Sequence, residues 1–178
     1  MRFYTGIGSR RTPKDICEKM TKVASSLAKA KWILRSGGAE GADSAFEVGV
    51  NLSVTNIEDV VYKKAELKQI FLPWPNFNNK YSFYSSVCSN ALQLAKKYHP
   101  AWNKLSQGAQ KLHARNVYQV LGPDLNTLSK FVICWHDGTG GTTQACRIAQ
   151  DYDIPIINMI NEDWKSQLSE ILQQNSTS

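Results

Sequence analysis

No apolar run in this 178-residue sequence approaches the roughly 18 residues that cross a membrane as a helix. The N-terminus, MRFYTGIGSRR, also lacks the basic, apolar and small-residue succession of a secretory signal. These two absences point to a soluble, cytosolic chain. Cysteine is scarce. Cys17, Cys88, Cys134 and Cys146 form no CxxC pair, and no histidine stands at metal-ligand spacing from them. Reduced, partly buried thiols are expected, with no metal and no cofactor. Two nucleotide signatures are missing as well. There is no GxxxxGK[ST] loop, and Gly6-Ile7-Gly8 is not followed by the third glycine of GxGxxG. Acidic residues are the minority charge, 15 against 21 Lys and Arg, for a net charge of +6. Such an excess favours anionic partners or a solvated basic surface.

What is present reads as one globular domain over residues 1–178, with 42% hydrophobic and 20% charged residues. Residues 2–8 read as a strand ending in glycine. Pro13 then opens a helix that carries Ile16, Met20, Val23 and Leu27 to about Ala30. Trp32-Ile33-Leu34 is a second strand, and a helix with Phe46 and Val50 starts near Gly41-Ala42-Asp43. Residues 51–66 are a loop or a short extra helix, and Gln69 to Pro73 is a third strand stopped by proline. Tyr84, Val87, Cys88, Ala91, Leu92 and Ala95 mark a helix ending before Pro100, and another spans about 105–121. Phe131 to Trp135 is a buried strand, followed by a helix with Ala145, Ile148 and Ala149. Ile154 to Met159 is the last strand, and Trp164, Leu168, Ile171 and Leu172 mark a closing helix before a fraying tail, Asn175–Ser178. Strands alternating with helices imply an α/β, Rossmann-like parallel sheet with helices on both faces.

Three strand-to-helix junctions share one chemistry. They are Gly6-Ile7-Gly8-Ser9-Arg10, then Ser36-Gly37-Gly38-Ala39-Glu40-Gly41-Ala42-Asp43, then Asp137-Gly138-Thr139-Gly140-Gly141-Thr142-Thr143. Glycine permits a close approach of backbone to ligand, and each following helix points free N–H groups at the same edge of the sheet. Hydroxyls at Ser9, Ser36, Thr142 and Thr143 add donors. Such loops meet at the carboxyl ends of parallel strands, so a shared anion-binding pocket is expected.

These residues resemble the SLOG superfamily, the Smf/DprA and LOG group of Rossmann-like domains, and within it the YspA/YpsA-like branch that also occurs in phage genomes. The resemblance runs from Tyr4 to about Met159. It is carried by Gly8-Ser9-Arg10, by Ser36 to Asp43 followed by Ala45-Phe46-Glu47, by Pro73-Trp74, by Arg115-Asn116 and by Asp137 to Thr142. It implies a pocket for nucleotides or ADP-ribose-like derivatives, and a homo-oligomer, since members of the superfamily often self-associate. LOG members are phosphoribohydrolases whose PGGxGTxxE motif carries a catalytic glutamate. Here Ala145 takes that place, with Gln144 beside it, which turns the reading from hydrolysis towards binding. DprA members bind single-stranded DNA, and other members sense signalling nucleotides in anti-phage systems.

Individual side chains divide between functional and structural roles. Arg10 is placed to pair with a phosphate, and Arg11 faces solvent. Asp43 bonds a ribose hydroxyl, cross-braces the loops or complements its own helix dipole. Glu47, one turn on, is a further carboxylate for acid–base work, alongside Asp43 and Asp137. Trp74 stacks on a base or plugs a loop. Arg115 and Asn116 line the pocket by resemblance. Asp137 either pairs with His136 or caps its loop. Lys96, Lys97, His99, Trp102, Lys104 and Lys111 form a basic, aromatic segment that tracks a nucleic acid or is a solvated helix surface. The expected partner is a phosphate-bearing small molecule, with nucleic acid second and no membrane.

Overall fold

The computed structural model describes residues 1–54 and 66–175. Five strands, β1 (Arg2–Gly8), β2 (Trp32–Ser36), β3 (Lys68–Ile70), β4 (Val132–Trp135) and β5 (Ile156–Asn158), lie in the order β3-β2-β1-β4-β5. Every pairing is parallel. Among the described residues lie six α-helices, α1 (Lys14–Lys29), α2 (Ala42–Ser53), α3 (Ser89–Lys97), α4 (Gln107–Leu121), α5 (Gly140–Asp151) and α6 (Trp164–Gln174), and two short 3-10 helices, Phe77–Asn79 and Trp102–Lys104.

The period of two along each strand divides the core into two layers. Tyr4, Leu34, Ile133 and Ile157 face Met20, Ala24 and Leu27 of α1, Phe46 and Val50 of α2, and Trp164 of α6. Ile7, Val132 and Cys134 face the other way, onto Ala91 and Ala95 of α3, Val117, Val120 and Leu121 of α4, and Ile148 and Ala149 of α5. A central parallel strand buried on both faces needs apolar residues on both, and this is why β1 reads as a nearly continuous apolar run. The sheet is thus a doubly wound α/β fold. Its order reverses between β1 and β4, the position where open α/β sheets hold ligands beyond the carboxyl ends of their strands.

Where the structure departs from the sequence reading, tertiary pairing is the cause. The helix expected from Tyr84 starts only at Ser89. Tyr84 instead bridges to Phe71 at the end of β3, and its carbonyl accepts from the Leu72 amide at 2.7 Å. The Cys88 amide donates to the Tyr118 hydroxyl at 2.9 Å, just before the helix begins. Of the segment 51–66, residues 51–53 continue α2, whereas 55–65 lie outside the described residues, as do 176–178 of the tail. Asn175 closes α6 through its amide to the Ile171 carbonyl. Arg35 is a buried cation that sequence did not flag. Its Nε donates to Gln69 Oε1 at 2.8 Å, its Nη1 donates to the Thr127 carbonyl at 2.5 Å, and the guanidinium lies over the Phe3 ring. No helix among the described residues is long and apolar enough to cross a membrane.

Gly8 shows how tightly the first loop is built. A methyl group there would sit 2.5 Å from Ala42 Cβ and 3.2 Å from the Trp135 carbonyl oxygen. Gly8→Ala therefore forces β1 and the start of α2 apart. The expected cost is about 1–3 kcal/mol, read as a lower urea midpoint at unchanged slope.

Candidate functional site

A cleft of about 360 Å³ opens at the reversal between β1 and β4. That volume is within the usual range for small-molecule sites. Its walls come from four places. The β1 loop supplies Ile7 to Arg11, and the β2 loop supplies Ala39 and Asp43. The β4 loop with the first turns of α5 supplies Thr139 to Thr142 and Ala145. One face of α4 supplies Ala109, Leu112, His113, Arg115, Asn116 and Gln119.

The three glycine loops contribute unequally. In the first, Ser9 is engaged locally: its hydroxyl accepts from the Arg11 amide at 3.1 Å, and its carbonyl accepts from the Thr12 hydroxyl at 2.6 Å. Arg10 is exposed at the rim, and its side chain has no partner among the described residues. Arg11 is exposed, as expected, and also reaches across the mouth to Asp137 Oδ2 at 3.1 Å and to the Thr139 hydroxyl at 2.9 Å.

The second loop is largely occupied by the chain itself. Ser36 donates to the Gly6 carbonyl at 2.6 Å, so its hydroxyl is committed inside the sheet. Arg115 fills the space over Gly37. Its Nη1 donates to the Gly37 carbonyl, and a methyl group on Gly37 would overlap the guanidinium at 1.5 Å. Gly38 packs beside Leu72 and Lys80, and Gly41 beside the backbone of Ser9 and Arg10. Ala42 packs under Gly8. What this loop presents to the cleft is Ala39 and Asp43.

The third loop is the open one. Gly138 and Gly140 have positive φ and no neighbour within 4 Å of where a side chain would start. Asp137 caps its own loop by accepting from the Thr139 hydroxyl at 2.6 Å, which with Arg11 holds its carboxyl below the ordinary range. Thr143 donates back to the Thr139 carbonyl at 3.1 Å and lies off the cleft. Thr139 precedes α5 without a side-chain cap, so the orphan N–H groups of the first turn remain available beside Gly140, Gly141 and Thr142. The Thr142 hydroxyl has no partner among the described residues and lines the cleft.

At the floor, Arg115 and Asp43 face each other with Nη1 and Oδ2 3.5 Å apart, both side chains over nine-tenths buried. Asp43 Oδ2 also accepts from the Ala39 amide at 3.3 Å. Asp43 Oδ1 and Arg115 Nε are buried without a hydrogen-bond partner among the described residues. Burial pushes the Asp43 carboxyl above its ordinary value, against the pull of Arg115 and nearby amides. Burial also lowers Arg115, and Arg10 repels it further. Asn116 Nδ2 holds α4 to α5 by donating to the Gly141 carbonyl at 3.2 Å and to Gln144 Oε1 at 3.1 Å.

Other sequence candidates lie elsewhere. Glu47 is outside the cleft, held by Lys68 at 2.8 Å and Lys80 at 2.6 Å. Burial raises its carboxyl, but the two lysines outweigh that and leave it below the ordinary range. Trp74 packs edge-on against Phe77 with ring centroids 5.3 Å apart, near Gly108 of α4. In the basic segment, Lys97 pairs with Asp151 at 2.8 Å, and His99 packs on the His113 ring 4.5 Å away.

Of the α4 wall, the sequence reading named Arg115 and Asn116 and missed the rest. Ala109, Leu112, His113 and Gln119 recur at helical spacing, a face that reads as ordinary core until its neighbours are known. His113 is half-buried, with Nδ1 unpartnered. Burial, with His99 and Arg115 close by, lowers it from 6.5. A histidine harder to protonate folded than unfolded loses stability as pH falls through the unfolded value. The unliganded protein is therefore expected to lose thermal stability below about pH 6.5, and His113→Gln is expected to flatten that slope in melting curves recorded across the window.

No protein-family model matches the sequence, and no curated protein matches it. Among solved structures, the chain is similar to DNA processing protein A from Helicobacter pylori, described for its single-stranded DNA binding mode. The match has a TM-score of 0.48 and 19% identity over 95% of this chain and 72% of that one. The chemistry of the cleft is accordingly read from its own atoms.

Proposed function

We propose that the cleft binds a phosphate-bearing nucleotide or nucleotide-derived small molecule, of the ADP-ribose or cyclic-nucleotide kind, in a sensing or sequestering role. The observation that carries this is Arg10, an arginine without a partner among the described residues, at the rim of a cleft whose floor already holds Arg115. Arg115 is paired with Asp43, so Arg10 is the guanidinium that an entering phosphate would pair with. The uncapped start of α5 adds N–H donors on the same side, the arrangement that receives phosphate. Asp43 Oδ1 is the buried acceptor left for a ribose hydroxyl.

Calorimetry and thermal shift with AMP, ADP-ribose, cyclic AMP and a short single-stranded DNA test the reading. Saturable binding of a nucleotide or of ADP-ribose, with a rise in melting temperature, is expected. Tight, steeply salt-dependent binding of the DNA alone would replace a small-molecule site with a nucleic-acid one.

A second reading, hydrolysis at the same cleft, draws on Asp43. A carboxyl raised by burial beside a ligand space has the character of an acid–base group. Chromatography of incubated nucleotides for free base or ribose phosphate decides between capture and cleavage, and intact recovery of ligand favours capture.

A further inference from the structure

Among the described residues outside the cleft, one group of metal-ligand atoms comes together. Cys134 Sγ and Cys146 Sγ lie 3.7 Å apart, and with a ring nitrogen of His136 all three ligand atoms are within 4.8 Å of one another. We infer that Cys134, His136 and Cys146 form a binding site for a thiophilic divalent cation of the zinc class. Cys134 is fully buried on β4, and Cys146 is 5% exposed on α5, so both thiols are fixed by regular structure.

The geometry suits a tetrahedral centre. With Zn–S near 2.3 Å and Zn–N near 2.0–2.1 Å, the S···S edge is about 3.8 Å and the S···N edge about 3.6 Å. The sulfur pair already stands at the first distance, and the imidazole, within 4.8 Å of both sulfurs, needs to close by no more than about 1 Å to reach the second. Three protein ligands leave a fourth position for water. Binding takes both sulfurs as thiolates, so any thiol proton still present is released to solvent. His136 Nδ1 now accepts from the Gly138 amide at 3.1 Å. Ligation exchanges that bond, whichever ring nitrogen is used. Positive-φ glycines at 138 and 140, with open space around them, let the loop follow. The cation would then tie the end of β4 to α5, behind the loop that enters the cleft. Linear spacing hides the cluster: Cys134-Trp135-His136 is a short motif, and its third member is brought in by the strand–loop–helix turn.

The test uses the reduced full chain titrated with cobalt(II). One equivalent is expected to give thiolate-to-metal charge transfer and tetrahedral ligand-field absorption, bleached by zinc. Cys134→Ser and Cys146→Ser should lose the charge-transfer band, and His136→Ala should weaken it, with far-UV circular dichroism confirming the fold of each variant. Zinc in hundredfold excess over its Kd should raise Tm by about 5–10 °C. Absence of cobalt absorption in the reduced wild-type chain would overturn the inference, whatever the variants do. So would peptide mapping that finds Cys134 joined to Cys146 after mild oxidation in the presence of excess zinc, because a redox pair would then explain the contact.

Discussion

Replacing Arg115 with methionine is expected to destabilise the protein by about 3–5 kcal/mol, the usual cost of leaving one half of a buried ion pair uncompensated. Arg115 neutralises Asp43 at the floor of the cleft, holds the Gly37 carbonyl and fills the space over the second loop. The loss has a charge component and a packing component. Methionine keeps most of the volume, so the charge component dominates in Arg115→Met. Asp43→Asn in the same background removes the stranded carboxylate and should recover part of the stability. Urea unfolding of the two single variants and the double variant measures the coupling. Additive losses would mean that the pair at 3.5 Å is not an energetic unit.

Arg10 gives the second large effect, on binding rather than folding. It is exposed and has no partner among the described residues, so Arg10→Ala should leave the melting temperature nearly unchanged. A charge-assisted contact to phosphate is worth about 1.5–3 kcal/mol, so nucleotide affinity should fall roughly 10- to 100-fold. Arg11→Ala separates the two rim arginines. Arg11 already spends its charge on Asp137 and Thr139, and its loss is expected to weaken binding less. Equal losses for both variants would point to a diffuse basic rim instead of a placed contact.

Much of this arrangement was legible in the sequence. The alternation of strands and helices gave the doubly wound sheet, and the glycine junctions marked where the chain crosses its carboxyl edge. What they did not reveal was occupancy. Ser36 and Gly37 carry the residue types of an anion loop, yet the Gly6 carbonyl and the Arg115 side chain take them up, and both partners are remote in sequence. Glu47 had the look of a spare carboxylate because Lys68 and Lys80 reach it from β3 and the loop beyond. The α4 wall beyond Arg115 and Asn116 was hidden for a related reason. Apolar and polar residues at helical spacing do not say which neighbour they meet, and His113 and Gln119 acquire a site only when the β1 and β4 loops fold against them.

The central claim is that loop amides and Arg10 at the β1/β4 reversal receive a phosphate. Amide chemical-shift mapping during titration with ADP-ribose tests it most directly. The largest shifts should fall on Ser9, Arg10, Ala39, Gly140, Gly141 and Thr142, and inorganic phosphate should compete for the same amides. Shifts confined to α1 and α6, or spread without a centre, would contradict it.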